Sequence, residues 1–180
     1  MAGFLKFVCE NGAVALGYWF ITYLNWLLFR NVGIMPMPIW PAAAFALILA
    51  LSRGWSVAVG IAVGVILADS VTLGVPFKLA ASISITNTLG PILGAVLIKK
   101  RISSELKIKS FRDFIAVFAI GLIFVPFITS LGGVGSMLLF GEVSANMALS
   151  SMVRWAMAHS LGTLLFALPY LIWAESRRLA

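Results

Sequence analysis

The sequence predicts an all-α, polytopic membrane helix bundle, and three observations carry that prediction. The chain of 180 residues is 62% hydrophobic and only 11% charged, whereas charged residues make up roughly 25% of a typical soluble domain. Its mean hydropathy is +1.07. Its apolar residues form long runs, which must be helical in hydrocarbon because every unpaired backbone amide or carbonyl there costs several kcal/mol.

We predict about six membrane spans, each near the ~20 residues that cross the hydrocarbon core. They cover residues 12–30, 40–53, 55–74, 78–98, 114–131 and 153–174. Pro126 predicts a kink in the fifth span. A glycine-rich link at 132–135 and a short amphipathic piece around 143–151 are expected before the last span. We interpret residues 1–180 as a single domain without an output domain.

The basic residues predict the orientation of the bundle. The net charge is +7, but the bases lie between apolar runs, so we interpret them as topology signals and anionic-lipid contacts rather than as a nucleic-acid site. With both termini in the cytoplasm, the outside holds only Arg30, Lys78 and Arg154, as the positive-inside rule requires. The basic loop at 99–112 is then cytoplasmic.

The last span carries the only histidine in the chain, His159. At helical spacing it belongs to one stripe with five other residues: Trp155, Gly162, Phe166, Pro169 and Trp173. The opposite face is expected to contact lipid through four leucines: Leu161, Leu164, Leu168 and Leu171. An ionisable residue in a span is a functional hypothesis by default, although a histidine this close to the helix start could also simply bond a neighbouring helix.

Six further residues are candidates for ligand binding or coupling: Trp40, Pro41, Asp69, Asn87, Arg154 and Trp155. Asp69 lies near the predicted external boundary, where it could be solvated in a loop, and an Asp69–His159 pair is geometrically conceivable. Asn87 is deeper, and a helix–helix hydrogen bond is its favoured interpretation. Arg154 and the two tryptophans also match ordinary anchors at a membrane interface.

Small residues at every fourth position predict close helix packing in the third and fourth spans. The stripes run through Gly60 and Gly64 in the third span and through Gly90 and Gly94 in the fourth, and Gly162 is a further packing candidate in the last span. Such patterns let helix backbones approach closely. We expect the two spans to pack on each other through these faces, which could also join two chains in a homodimer.

No catalytic residue, metal site or cofactor is predicted. One cysteine and one histidine cannot build the common metal sites, and the chain has neither a phosphate-binding loop nor a close carboxylate pair. Residues 158–162 are similar to the histidine-bearing helix of rhomboid intramembrane proteases. Those proteases also need a serine in a Gly-x-Ser-Gly setting, and Ser136 lacks the following glycine. We therefore predict that the chain is not an enzyme by itself.

Taken in order, the segments from about residue 36 to residue 174 resemble the membrane-associated sensor domain of the MASE type, first class. The resemblance rests on five pieces in order: Pro38-Ile39-Trp40-Pro41-Ala42-Ala43, Gly54-Trp55 before a glycine-spaced helix, Thr86-Asn87-Thr88-Leu89-Gly90, the basic loop, and Trp155 through His159-Ser160-Leu161-Gly162 with Pro169 and Trp173 beyond. The chain departs from the family in one of these pieces, because His159 stands where the family often has an acidic residue. The family module is also commonly longer and is followed by a cytoplasmic output domain.

The resemblance implies a multi-pass sensory input domain of a bacterial inner membrane, acting in two-component or cyclic di-GMP signalling. Its implied partners are the lipid bilayer, a small-molecule ligand or partner membrane protein, and a cytoplasmic output domain or partner reached through the last span. The chain would be either an excised input domain or a stand-alone relative. Two alternatives stay open: the substrate-binding subunit of a vitamin-type (energy-coupling-factor) transporter, which size and span count favour, and a structural accessory subunit.

Overall fold

The computed structural model describes residues 1–32, 37–102 and 110–179, and in these ranges the chain forms only helices and turns. The described α-helices are α1 Ala2–Phe29, α2 Pro41–Arg53, α3 Ala58–Leu67, α4 Phe77–Ile102, α5 Phe111–Ala119, α6 Val125–Leu139, α7 Ala148–Gly162 and α8 Leu168–Leu179. Turns of 3-10 helix at Gly54–Val57 and Ala145–Met147 precede α3 and α7. Segments of π-helix at Ala68–Thr72, Ile120–Phe124 and Thr163–Ala167 follow α3, α5 and α7. The predicted all-α membrane bundle is confirmed.

Within the described residues, five helical stretches are long and apolar enough to cross a membrane. They are Gly3–Phe29, Pro41–Thr72, Phe77–Ile102, Phe111–Leu139 and Ala145–Trp173. The glycines at 132–135, which we expected to form a link, lie inside α6. Packing explains the difference, because Gly132 lies against Thr86 of α4 and Gly133 against the indole of Trp155. These contacts offset the weak helix propensity of glycine. Half of the basic loop at 99–112, residues 103–109, lies outside the described residues.

The second stretch turns back at Gly54 and contains both spans predicted at 40–53 and 55–74. Gly54 has a φ of +64°, a conformation that only glycine adopts readily. Asn25, near the end of α1, bonds the Ile39 carbonyl just before α2, whereas Asn11, near the beginning of α1, bonds the Gly60 amide of α3. Therefore α2 runs antiparallel to α1, and α3 runs parallel to it.

The two ends of the bundle differ in composition. At the end where α2 meets α3, Arg53 pairs with Glu10 at 3.3 Å, and the lysines and arginines at the end of α4 and the start of α5 lie on the same side. We name this side the basic end. The opposite side holds Trp40, Trp155 and the turn that joins α3 to α4, and we name it the tryptophan end. The positive-inside rule would place the basic end in the cytoplasm, and that orientation stays a prediction.

The glycine stripe of α3 packs against α1 rather than against α4. A Cβ added at Gly60 would meet the Val14 Cβ at 2.7 Å, and one added at Gly64 would meet the Tyr18 Cβ at 2.6 Å. The two helices that we expected to share their glycines instead pack through larger buried side chains: Ile61 and Val65 of α3 with Leu79 and Ile83 of α4.

The glycine stripe of α4 packs against α6. A Cβ at Gly90 would lie 2.8 Å from Thr129 Cγ2, and one at Gly94 would overlap the side chain of Val125. The close approach predicted from small residues is therefore present at both stripes, but each stripe serves a different pair of helices. Periodicity identifies such a face without identifying its partner.

The last stretch does not keep the single buried stripe that we predicted. Its last three members are exposed: Phe166, Pro169 and Trp173. The π segment Thr163–Ala167 causes this change, because i→i+5 bonding inserts an extra residue and rotates everything that follows. Ala167 and Leu171 are buried instead, and Leu171, which we expected to face lipid, is only 8% exposed.

Candidate functional site

His159 lies inside the bundle at the tryptophan end. Its side chain is 4% exposed, and its Nδ1 lies 3.2 Å from Thr129 Oγ1 of α6. Trp40 stacks on the imidazole with ring planes 1° apart and centroids 6.2 Å apart. Trp155, one turn earlier on α7, is tilted by 30° at a centroid distance of 5.7 Å. The histidine thus connects α6, α7 and the residue before α2.

Trp40 and Pro41 are docked directly on the backbone of α7. The Trp40 amide donates a hydrogen bond of 2.9 Å to the Ala158 carbonyl. Gly162 makes this approach feasible, because a Cβ there would overlap the Trp40 carbonyl and lie 3.2 Å from the Pro41 nitrogen. The Trp40 indole also donates to the Tyr18 hydroxyl of α1 at 3.2 Å. Trp40 therefore ties both α1 and α2 to α7.

Asp69 is buried rather than solvated in a loop. It belongs to the π segment Ala68–Thr72 and is 6% exposed. Both Asp69 and His159 are described residues, yet no ion pair forms between them. Asp69 instead lies close enough to Tyr18 for electrostatic interaction, so the two candidates are connected only indirectly, through Tyr18 and Trp40.

Two other candidates differ from their favoured interpretations. Asn87 is buried, but its Oδ1 has no hydrogen-bond partner, so the helix–helix bond that we favoured is not made by that atom. Trp155 packs its indole on Gly133 inside the bundle, with Nε1 buried, which differs from an anchor at the membrane surface. Arg154 is exposed on α7, as an interface anchor would be.

Buried polar atoms without a partner concentrate at the tryptophan end. Among the described residues, five buried side-chain atoms have no hydrogen-bond partner: Thr22 Oγ1, Ser70 Oγ, Asn87 Oδ1, Thr88 Oγ1 and Trp155 Nε1. Four of them belong to the half of their helical stretch nearer the tryptophan end, and Ser70 lies in the π segment beside the turn that joins α3 to α4. An unsatisfied buried group costs about 1–3 kcal/mol, so this region would gain most from a bound polar molecule. In the part of the chain described, no group of histidine, cysteine and carboxylate side chains could hold a metal ion.

Ser160, the residue after His159, links α7 to the preceding stretch. Its hydroxyl, which has one hydrogen to donate, lies 2.7 Å from the Leu122 carbonyl and 2.8 Å from the Ala156 carbonyl of its own helix. The α-helical donor to that carbonyl would be the amide of residue 126, which is a proline and has no N–H. Pro126 lies just after the π segment Ile120–Phe124. Because it lacks an N–H, the Leu122 carbonyl is available to the Ser160 hydroxyl of α7.

Sequence reasoning missed four residues that help to build the site or its support: Asn11, Tyr18, Thr129 and Ser160. Each is a polar side chain inside or beside an apolar run, and that was the available signal. The partners could not be predicted, because every one of these contacts joins residues that are far apart in the chain.

The comparisons with known proteins agree with this architecture. A family model for MASE1 matches residues 13–180, almost the whole chain. The chain belongs to the MASE1 family. Members of the family are membrane-associated sensor domains found in histidine kinases and diguanylate cyclases, which confirms the resemblance seen in the sequence. The comparisons with curated proteins and with solved structures each gave no match.

Family and structure together place the protein in its cellular setting. MASE1 domains are sensory input domains and are generally non-catalytic. This MASE1 domain is a multi-pass protein of the inner membrane. It associates with the lipid bilayer and with cytoplasmic output domains.

Proposed function

We propose that this MASE1 domain receives its stimulus at the tryptophan end, around His159, and transmits it through the last helical stretch to a cytoplasmic output domain. The concentration of unpartnered buried polar atoms at one end carries the proposal. The stretch that holds His159 also runs on to α8 at the opposite end. A ligand, lipid or partner protein that bound two arrangements of this bundle with different affinity would shift their populations.

The contacts of α7 supply a route for the signal. His159 contacts Thr129 of α6, and the adjacent Ser160 bonds the Leu122 carbonyl in the π segment before α6. Because these two residues are neighbours on one helix, a rotation or shift of α7 that changes one contact also changes the other. Nearer the basic end, a Cβ added at Gly121 would lie 3.5 Å from Thr163 Cγ2. The π segments Ile120–Phe124 and Thr163–Ala167 are therefore in contact. Such segments are frequent at functional sites.

A fusion of residues 1–180 to a diguanylate cyclase tests the proposal. We expect His159→Ala and Ser160→Ala each to change the cyclic di-GMP output per molecule in the membrane. Leu161→Ala is the matched control, since Leu161 is the next residue on α7 but is 37% exposed. If all three variants gave the output of the unaltered fusion at equal abundance, the proposal would be wrong.

A further inference from the structure

We propose that His159 Nε2 and Trp155 Nε1 form a binding subsite for a neutral group that carries a hydrogen-bond acceptor and a donor side by side, such as a primary amide. The inference rests on the proposed function, because it names the chemistry of the group bound at the tryptophan end. It begins with the hydrogen bonds that surround the imidazole.

The Thr129 hydroxyl determines which imidazole nitrogen carries the proton. Thr129 Oγ1 lies 3.1 Å from the Pro126 carbonyl, to which it can only donate, and 3.2 Å from His159 Nδ1. A hydroxyl has one hydrogen, so if it donates to the carbonyl it must accept from Nδ1–H. Nε2 is then a bare acceptor, and among the described residues no donor reaches it. In the other tautomer Nε2–H has no acceptor among the described residues, and the Thr129 hydrogen can serve only one of its two neighbours, so fewer hydrogen bonds form.

Trp155 supplies the complementary atom. Its Nε1–H is buried and has no acceptor, and its ring lies 5.7 Å from that of His159, one turn away on the same helix. A free acceptor and a free donor thus belong to neighbouring side chains, one helical turn apart on α7. A primary amide could satisfy both atoms at once, with its N–H directed to Nε2 and its carbonyl directed to the indole.

Helix α4 carries further neutral polar groups close to the Thr129–His159 contact. Gly90 packs on Thr129, the residue that bonds His159. Asn87 and Thr88 lie in the turn just before Gly90, and each has a buried oxygen without a partner. The groups seen to contact the imidazole itself, Thr129 and the rings of Trp40 and Trp155, carry no formal charge. A charged ligand there would lose its hydration without gaining a counter-charge, so the structure favours a neutral one.

Nitrogen NMR on the purified domain in lipid nanodiscs tests the subsite directly. The chain has one histidine, so 15N-histidine labelling reports a single imidazole. We expect a protonated Nδ1 and an unprotonated Nε2 before any addition. Acetamide should then shift the Nε2 and Trp155 indole resonances saturably, whereas acetate and methylammonium should not. A protonated Nε2, or resonances that acetamide leaves unchanged because only water occupies the subsite, would overturn the proposal.

Two conservative variants separate binding from a merely structural role. Thr129→Val removes the acceptor for Nδ1–H, so both the tautomer preference and the acetamide response should be lost. Trp155→Phe keeps an aromatic ring but removes the donor, so the acetamide response should be lost while the tautomer stays. If Trp155→Phe kept the full response, the indole would have no part in the subsite. None of these measurements uses the cyclase fusion, so acetamide binding and signalling can fail independently of each other.

Discussion

Asn11 at the basic end and His159 at the tryptophan end are both buried polar side chains, but their surroundings differ. Asn11 Nδ2 donates to the Phe7 and Ser56 carbonyls at 3.1 and 2.9 Å, and its Oδ1 accepts from the Gly60 amide at 2.6 Å. It thereby bridges a carbonyl and an amide that lie four residues apart at the start of α3. His159 has a hydrogen-bond partner on one nitrogen only.

From this contrast we infer that the basic end stabilises the fold and that the tryptophan end binds the stimulus. Satisfied polar groups at the basic end hold α1 and α3 together, so substitutions there should act on stability. Unsatisfied groups at the tryptophan end destabilise the ligand-free bundle and leave capacity to bind. Four substitutions test this division, and they are described from the largest expected effect to the smallest.

Asn11→Leu should be the most destabilising change. It leaves the Ser56 carbonyl and the Gly60 amide without their side-chain partner, at about 1–3 kcal/mol for each buried group. The free energy of unfolding in detergent should fall accordingly. Asn146→Leu is the control, because Asn146 is exposed and bonds only Ser144, and it should change that free energy by less than about 0.5 kcal/mol. Equal effects of the two variants would contradict the structural role of Asn11.

Gly162→Ala should detach the Trp40 segment from α7. The new methyl group would overlap the Trp40 carbonyl, and overpacking of this kind costs about 1–3 kcal/mol. Trp40 fluorescence and thermal unfolding would report the change. Gly135→Ala is the matched control in α6, because nothing lies within 4 Å of a Cβ at that position, and it should stabilise the helix by up to about 1 kcal/mol. If Gly162→Ala changed neither the fluorescence nor the thermal unfolding, the contact between the Trp40 segment and α7 would be disproved.

Ser160→Ala should cost about 1 kcal/mol, the net value of one hydrogen bond. The cost should be smaller when Pro126→Ala is also present, since alanine provides the amide that the Leu122 carbonyl lacks. A double-mutant cycle of unfolding free energies measures that coupling. Strict additivity would show that the proline and the serine act independently.

Thr88→Val should have the smallest effect, and of opposite sign to the Asn11 substitution. The variant replaces a buried hydroxyl that has no partner with a methyl group, so the unfolding free energy should rise by up to about 1 kcal/mol. The measurement is made in the absence of added ligand. A clear fall would mean that water or a co-purified molecule already satisfies this hydroxyl, and that the contrast between the two ends is smaller than described.

The sequence was sufficient for the fold class and the membrane setting, because these depend on composition and on local spacing, whereas the candidate residues stay a prediction. The phase of the last stretch was not predictable, since the extra residue of Thr163–Ala167 leaves no trace in a pattern read at helical spacing. The burial of Asp69 and the partners of the glycine stripes depend on which helices become neighbours. These neighbours are a tertiary property, and the periodicity of a single sequence does not predict which helices pack together.

The most direct test compares Asn11→Leu with His159→Ala in the same diguanylate cyclase fusion, with the folded fraction and the cyclic di-GMP output per folded molecule measured separately. We predict that Asn11→Leu lowers the folded fraction and leaves the output per folded molecule unchanged. His159→Ala should change that output while most of the protein stays folded. If both variants changed the output per folded molecule to the same extent, the proposed division between a structural basic end and a sensing tryptophan end would be contradicted.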